Sequence, residues 1–527
     1  LYRASGEFFK QLREEFAAPK RVVHALPPEH ELFSSLAENH SAHIDEAIAA
    51  QRGGDRAAAA KLLTGYFRKR ENPSFFISPK RIGAAAKDLQ STHPQWVSRT
   101  LKHADRMSEG RVNVYAQHAR LLSPEDWAAA PAGPVNDILY RYRPHRFAFA
   151  PRLALANLYG HEGALPALDK LLADWAQSIR PDARFARRYR TFTTSSHVAI
   201  YRSIAVSWTL AFLSAAANTR VDLEMLCLRI ILGDAQQINT CMPHTTRNNH
   251  LLADGFGLWY LGSMYPEFNA AGAWKSAGME VFRRELLRQI YPDGTSFEQS
   301  VHYQEHACEM GLAYLLLCRR NDWPAEGELT TRIRAMLHFQ ATLAGADGAS
   351  FAIGDTTEDP LFPLDGDEAG CALALRSMYG DLFGVTTAPV EPSIPSLERA
   401  FWLSDGRFPE QRAAAHASHN PLDRFPDGGF AVLNAREGRD RLVLRTGPGP
   451  EIAIASGHMH FDFLSIYLAI DGQALIVPGG TYSYRAAPRG WAWKYGTWRP
   501  YFMSARAANG LILSDADPLE RPGGDFP

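Results

Sequence analysis

Residues 384–400 read GVTTAPVEPSIPSLERA, and this stretch divides the chain. Pro389, Pro392 and Pro395 recur at every third position. Each proline fixes φ and lacks a backbone donor, so neither a helix nor an inner strand runs through such a spacing. We read 386–398 as an extended linker. The periodicity differs on its two sides.

Upstream, the apolar residues follow a helical period. In GALPALDKLLADWAQSIRP (163–181), Leu165, Leu168, Leu172, Trp175 and Ile179 recur at spacings of three and four. In HVAIYRSIAVSWTLAFL (197–213), Ile200, Ile204, Trp208 and Phe212 recur every fourth residue. The stretches 273–294 and 305–324 continue the pattern, each ending near Pro or Gly. Many helices joined by short loops suit hairpins stacked into a ring or solenoid over residues 1–385. Downstream, GGFAVLNAREGRDRLVLRTGPG (428–449) is two strand-like runs around a polar turn. GHMHFDFLSIYLAIDGQALIVPGG (457–480) and GLILS (510–514) add further strands. Residues 399–527 therefore read as an antiparallel β-sandwich, expected to be short of strands in this sequence, and the whole as an α+β chain of two domains.

The length of 527 residues exceeds one ordinary core and supports this division. A formal net charge of −1 gives no global pull towards nucleic acid or an anionic membrane. No run approaches the ~20 apolar residues of a membrane span. The sequence starts at Leu1 without a signal-like segment, and we expect an exported protein, periplasmic or secreted, whose leader is absent; a cytoplasmic protein is the other reading. The five cysteines, Cys227, Cys241, Cys308, Cys318 and Cys371, form no CxxC pair and read as buried free thiols.

Three segments carry the chemistry. In TTRNNHLLADGFGLWYLG (245–262), Arg247, Asn248, Asn249 and His250 precede an apolar helical run. A helix N-terminus there would favour an anion such as a carboxylate, while an Asn cap beside a bystander His is the plain alternative. In YPDGTSFEQSVHYQEHACEMG (291–311), Tyr303 lies between His302 and Gln304, with His306 three further on. It is either a reactive phenol or a core aromatic. In the third, residues 457–480, a strand would point His458, His460 and Asp462 to one face, followed by Leu464, Ile466 and Leu468. Two histidines and a carboxylate so placed suit a metal or a proton-transfer site.

Together, NNHLLADGFGL (248–258), DGTSFEQSVHY (293–303), residues 457–484 and WRPYFMSARAANGLILSD (498–515) resemble the signature blocks of the heparinase II/III-like polysaccharide lyases, in that family's order. The group also contains alginate and oligoalginate lyases. The resemblance implies an incomplete (α/α) toroid followed by an antiparallel β-sandwich. It implies β-elimination on uronate-containing glycans, with glycosaminoglycans (heparan sulfate or heparin, chondroitin, hyaluronan) ahead of alginate. Asn249 and His250 match the carboxylate clamp, Tyr303 the catalytic tyrosine, and His458 the sandwich-side histidine. A free phenol has a pKa of about 10, so Tyr303 as base needs cationic or His neighbours. Which of Tyr303 and His458 takes the proton depends on the geometry of the substrate's C5.

An acidic polysaccharide or oligosaccharide is the expected partner. Arg141, Arg143, His145 and Arg146 form one basic cluster, and Arg184, Arg187, Arg188 and Arg190 another. Arg190, Arg247, Asn248, His302, Tyr484, Trp498 and Arg499 are the candidate substrate-binding residues. Some members of the family hold a structural zinc through residues matching His460, Pro478 and Ala508 of this sequence. Only His460 has the right side chain, so no metal or other cofactor is expected. Two rivals of other classes are a toroid glycoside hydrolase, which would draw its two carboxyl groups from Asp254, Asp293 and Glu298, and a glycan-binding protein without catalysis.

Overall fold

The computed structural model describes residues 26–114, 117–129, 138–179, 196–218, 220–345, 350–356, 359–364, 372–385, 387, 397–410, 421–436, 439–447, 458–482 and 498–512. A mostly helical region is followed by an antiparallel sheet. The helical period translates directly into burial. Helix α1 (Ala164–Ser178) buries Leu165, Leu168, Leu172 and Trp175. Helix α2 (Ser196–Ser214) buries Ile200, Ile204, Trp208 and Phe212, and most of its other faces too, as an inner helix must. Arg202 of α2 makes a bidentate pair with Asp234 of α3 (Val221–Cys241), both fully buried. Such a pair offsets its own desolvation only in good geometry, so it fixes how α2 meets α3.

Helix α4 (Asn249–Met264) carries the first motif and lies against α5 (Ala271–Gln289). The contact is closer than any side chain allows. A Cβ on Gly262 would lie 2.4 Å from the Lys275 backbone nitrogen, and one on Gly278 2.2 Å from that of Trp259. Three glycines, Gly255, Gly262 and Gly278, set this approach and so the position of α4. Helix α6 (Val301–Arg320) carries the second motif. A two-stranded antiparallel ribbon pairs β1 (Arg111–Val114) with β2 (Gln117–Arg120).

The division near the prolines differs from the expected one. Most of 386–398 lies outside the described residues. Leu397 and Glu398, with the first residues assigned to the sandwich, form helix α7 (Leu397–Leu403). Its Ala400, Phe401 and Trp402 are buried in the helical core, where Trp402 meets Phe212 edge-on at 5.0 Å. Prolines stop a helix from running through; they do not stop one from starting just beyond them. The sheet begins only at Leu422.

That sheet is a five-stranded antiparallel meander: β3 (Leu422–Phe425), β4 (Phe430–Ala435), β5 (Asp440–Arg445), β6 (Ser465–Ile470) and β7 (Gln473–Ile476). The described residues hold this one sheet of the expected sandwich. Part of GLILS is described, and there Leu511 and Ile512 are not in a strand. The inner face, with Phe425, Phe430, Val432, Val443, Tyr467 and Ala469, packs on Val301, Phe339 and Leu343 of the helical region. Burying each large side chain stabilises the junction by roughly 1.5–3 kcal/mol. Val301 opens α6, so the junction holds the start of that helix against the sheet.

The third motif folds differently from its expected strand. Strand β6 starts at Ser465, and His458, His460 and Asp462 precede it in irregular chain. Leu464 has φ 58°, a left-handed conformation that interrupts strand alternation. The face is thereby inverted. Ser465, Tyr467 and Ala469 point inward, whereas Leu464 is 51% exposed and Ile466 and Leu468 are only half-buried.

Candidate functional site

Two helix starts bring the helical residues together. Asn248 is the N-cap of α4, and its Oδ1 accepts from the His250 N–H at 3.0 Å. Asn249 is buried, and both its backbone and its side-chain nitrogen donate to Glu298 at 3.0 Å. At α6, the Ser300 Oγ accepts from the Tyr303 N–H at 3.2 Å, placing Tyr303 in the first turn. His250 and Tyr303 both line a cavity of about 60 Å³, with Tyr142, Arg146, His197 and His306. His458 joins them from the sheet side. Its ring stacks on Tyr303, with centroids 3.6 Å apart and 14° between planes.

The cavity walls are imidazole-rich, with one guanidinium, that of Arg146, among the described residues. His197 stacks on His250 at 4.4 Å, and Tyr201 shares a hydrogen bond of 3.0 Å with His306 Nδ1. Burial, with His458 and Arg146 nearby, pushes the His250 imidazole down to about 4. Burial and Arg146 push His306 down to about 3 and His197 well below its ordinary value, where His250 also contributes. These rings are therefore neutral near pH 7, able to donate one hydrogen bond each without adding charge. Arg146 lies over the Tyr201 ring at 4.2 Å and pairs with Asp359, as does Arg143 at 3.2 Å.

Asp355 organises the sheet side, and it belongs to no motif read from the sequence. Its carboxylate accepts from His458 Nδ1 at 3.1 Å, from His460 Nε2 at 2.9 Å and from both terminal nitrogens of Arg499 at 3.0 and 2.7 Å. Burial alone would raise its pKa. The hydrogen bonds from His458 and His460 and the Arg499 charge outweigh burial and hold it well below the usual carboxylate range. Asp462 does not share this cluster. It pairs with buried Arg445 and accepts from the Tyr467 hydroxyl at 2.6 Å, while Arg445 also reaches Gln299 at 2.8 Å.

The other expected residues scatter. Arg247 is exposed, and its carbonyl accepts from Arg288. His302 is half-buried beside Tyr303. Trp498 is 60% exposed, and Arg499 is committed to Asp355. Arg190 and Tyr484 lie outside the described residues. Asp254 is fully buried and accepts from Thr245 and Ser196; burial lifts it to about 7. Asp293 accepts from Thr295 and from the backbone of Asp427 and Gly428. Neither these nor Glu298 lines the cavity, so a hydrolase's facing carboxyl pair is not formed there by the described residues.

A metal does not fit the cluster at His460. The guanidinium of Arg499 already occupies the open side of the Asp355 carboxylate, and a second cation there would be repelled. Among the described residues, no group of three or more His, Cys, Asp or Glu is arranged to hold one.

The sequence matches the family model "Heparinase II/III N-terminus" over residues 32–357 and "Heparinase II/III-like, C-terminal" over 417–526. The chain belongs to the heparinase II/III family. The heparin-sulfate lyase of Bacteroides stercoris is 25% identical over 338 residues, which are 60% of this chain and 48% of that protein. That of Pedobacter heparinus is 24% identical over 279 residues, 51% of this chain and 39% of that one. The chain thus spans less than half the length of these curated relatives. A crystal structure of heparinase III superposes with a TM-score of 0.64 at 16% identity, covering 91% of this chain and 70% of the other. Heparan sulfate lyase HepC from Pedobacter heparinus gives 0.53 at 16% identity, with 90% and 69% covered. The heparinase III-like fold accounts for the helical region and the sheet that meets it at Val301, Phe339 and Leu343. No helix among the described residues is long and apolar enough to cross a membrane.

Proposed function

We propose that this heparinase II/III family member is a polysaccharide lyase that cleaves acidic glycans at a uronate by β-elimination. Glycosaminoglycans are the favoured substrates and alginate the second choice. One observation carries the reading: Tyr303 is shared between the two halves, lining the cavity with His250 and stacked on His458. Among the described residues, phenol, imidazole and guanidinium line this cavity, and a hydrolytic carboxyl pair does not.

In this reading, His250 and Asn249 engage the uronate carboxylate. Hydrogen bonds that draw on its charge acidify C5–H, and the same contacts stabilise the enolate-like anion more than the ground state. The phenol of Tyr303 and the imidazole of His458 then divide the proton work. One takes the C5 proton, the C5–H electron pair becomes the C4=C5 double bond, and the C4–O4 bond breaks. The other protonates the departing O4. In this structure the Asn249 amide nitrogen donates to both oxygens of Glu298, so its engagement with the glycan carboxylate requires exchanging one of those bonds. Two named relatives, both heparin-sulfate lyases, favour a glycosaminoglycan over alginate. A polymer of that kind is met outside the cytoplasm, which favours a periplasmic or secreted location.

The test is a panel of heparan sulfate, heparin, chondroitin sulfates, hyaluronan and alginate. A lyase releases an unsaturated, ultraviolet-absorbing uronate end. New reducing ends without that absorbance would make the protein a hydrolase, and binding without either would make it a lectin-like module; both outcomes refute the proposal.

A further inference from the structure

Asp355 bonds to the start of α6 and to the segment that carries His458. Its carbonyl accepts the Ser300 hydroxyl at 2.6 Å, and the Ser300 Oγ in turn accepts the Tyr303 N–H. Its N–H donates to the His458 carbonyl at 2.8 Å. The preceding Gly354 has φ +73°, and a Cβ there would lie 2.9 Å from the carbonyl oxygens of Gln299 and His458. Only glycine allows so close an approach, so the backbone of Asp355 is held before its side chain does anything.

An ionised carboxylate only accepts hydrogen bonds. The imidazole nitrogen facing it must therefore donate. In a neutral ring this leaves Nε2 as the nitrogen with the lone pair. Resting on the lyase reading above, we propose that Asp355 is a positioning residue for the elimination: it holds His458 as the Nδ1–H tautomer and lays its ring against Tyr303. His460 and Arg499 act on Asp355 rather than on the glycan. Their bonds satisfy the remaining carboxylate lone pairs, so the group stays an acceptor. A plain clasp between helices and sheet would use the same contacts, but it would not depend on which nitrogen of His458 bears the proton.

The experiment uses the full chain with ¹⁵N-labelled histidine, the His458 signals being those lost in His458→Ala. Wild type should show a protonated Nδ1 and an unprotonated Nε2 in the neutral ring. Asp355→Asn keeps the shape but can donate as well as accept, and should mix or reverse that tautomer. On whichever glycan wild type cleaves, Asp355→Asn should lower kcat by roughly 100-fold with KM within about twofold. In a His458→Ala background the same change should cost less than about twofold further. An equal loss in that background, or a loss of activity with the wild-type tautomer intact, would reduce Asp355 to a clasp. Should Asp355→Asn not fold, an Nε2–H tautomer in wild type overturns the proposal by itself. If wild type cleaves no glycan, the lyase reading fails, and the tautomer measurements still decide what Asp355 does to His458.

Discussion

On the helical side of the cavity, His250 and Tyr303 each occupy the first turn of a long helix. Caps at Asn248 and Ser300 fix those turns, and the helices behind them are locked by glycine contacts and a buried core. On the sheet side, His458 sits in irregular chain ahead of β6, its carbonyl held by the Asp355 N–H and its ring set by the Asp355 carboxylate. One wall inherits its geometry from backbone and packing. The other depends on a few charged hydrogen bonds, which a single substitution can remove.

The largest expected effect falls where the walls meet. Tyr303→Phe keeps the ring stacked on His458 and removes only the hydroxyl, so activity on a cleaved glycan should fall roughly 10²–10⁴-fold with the fold unchanged. Steady-state rates beside a circular dichroism spectrum check this, and retained activity would break the assignment of Tyr303.

Next comes the helical core itself. Trp402→Ala should destabilise the protein by about 3–5 kcal/mol, because its indole is fully buried among helices. Denaturant unfolding followed by helical signal reports it. A change confined to the sheet would mean that α7 belongs there instead. Ser300→Ala should be milder. It removes the cap on α6 and the bond to Asp355 O, for about 1 kcal/mol of stability. If it instead abolishes activity without unfolding, the helical wall is less backbone-determined than we hold.

The smallest effect is in pH. His145, His197, His250 and His306 have folded-state pKa values pushed below the ordinary histidine value, chiefly by burial. Below about pH 6.5 the unfolded chain takes up protons that the folded one refuses. Stability should therefore fall as pH drops from about 6.5 towards 4. Asp254 and Glu298, raised by burial, oppose this: they bind protons when folded, and their contribution is lost as pH rises. Burial also lowers His338 and raises Glu224, so among the described residues five imidazoles face three carboxyls and prevail. Tm should decline on acidification through this window, and Asp254→Asn should steepen the decline in calorimetry.

What could be read from the sequence follows the same division. The period of Leu165, Leu168, Leu172 and Trp175 shows because each helical turn contacts its own neighbours in sequence. The motif blocks located His250, Tyr303 and His458, which the fold brings together. The face of β6 was misread, since one left-handed residue, Leu464, resets the alternation and nothing in its identity announces this. Helix α7 carried a signal in Leu397, Ala400 and Phe401, but seven residues are too few to outweigh three prolines nearby. Asp355 was illegible because its partners lie more than a hundred residues away, at His458, His460 and Arg499. Only the Gly-Asp pair hinted at a turn.

The capped first turns of α4 and α6 have an engineering consequence. Both helices meet the cavity with their leading ends and run away from it for 16 and 20 residues. Their trailing ends lie in the core, α4 through Trp259, Leu261 and Gly262 and α6 through Leu317 and Cys318, so a change of length there would disturb packing while leaving each cap in place. Inserting one residue between a cap and its motif is another matter. It would rotate His250 or Tyr303 by about 100° around the helix axis and turn the group out of the cavity altogether.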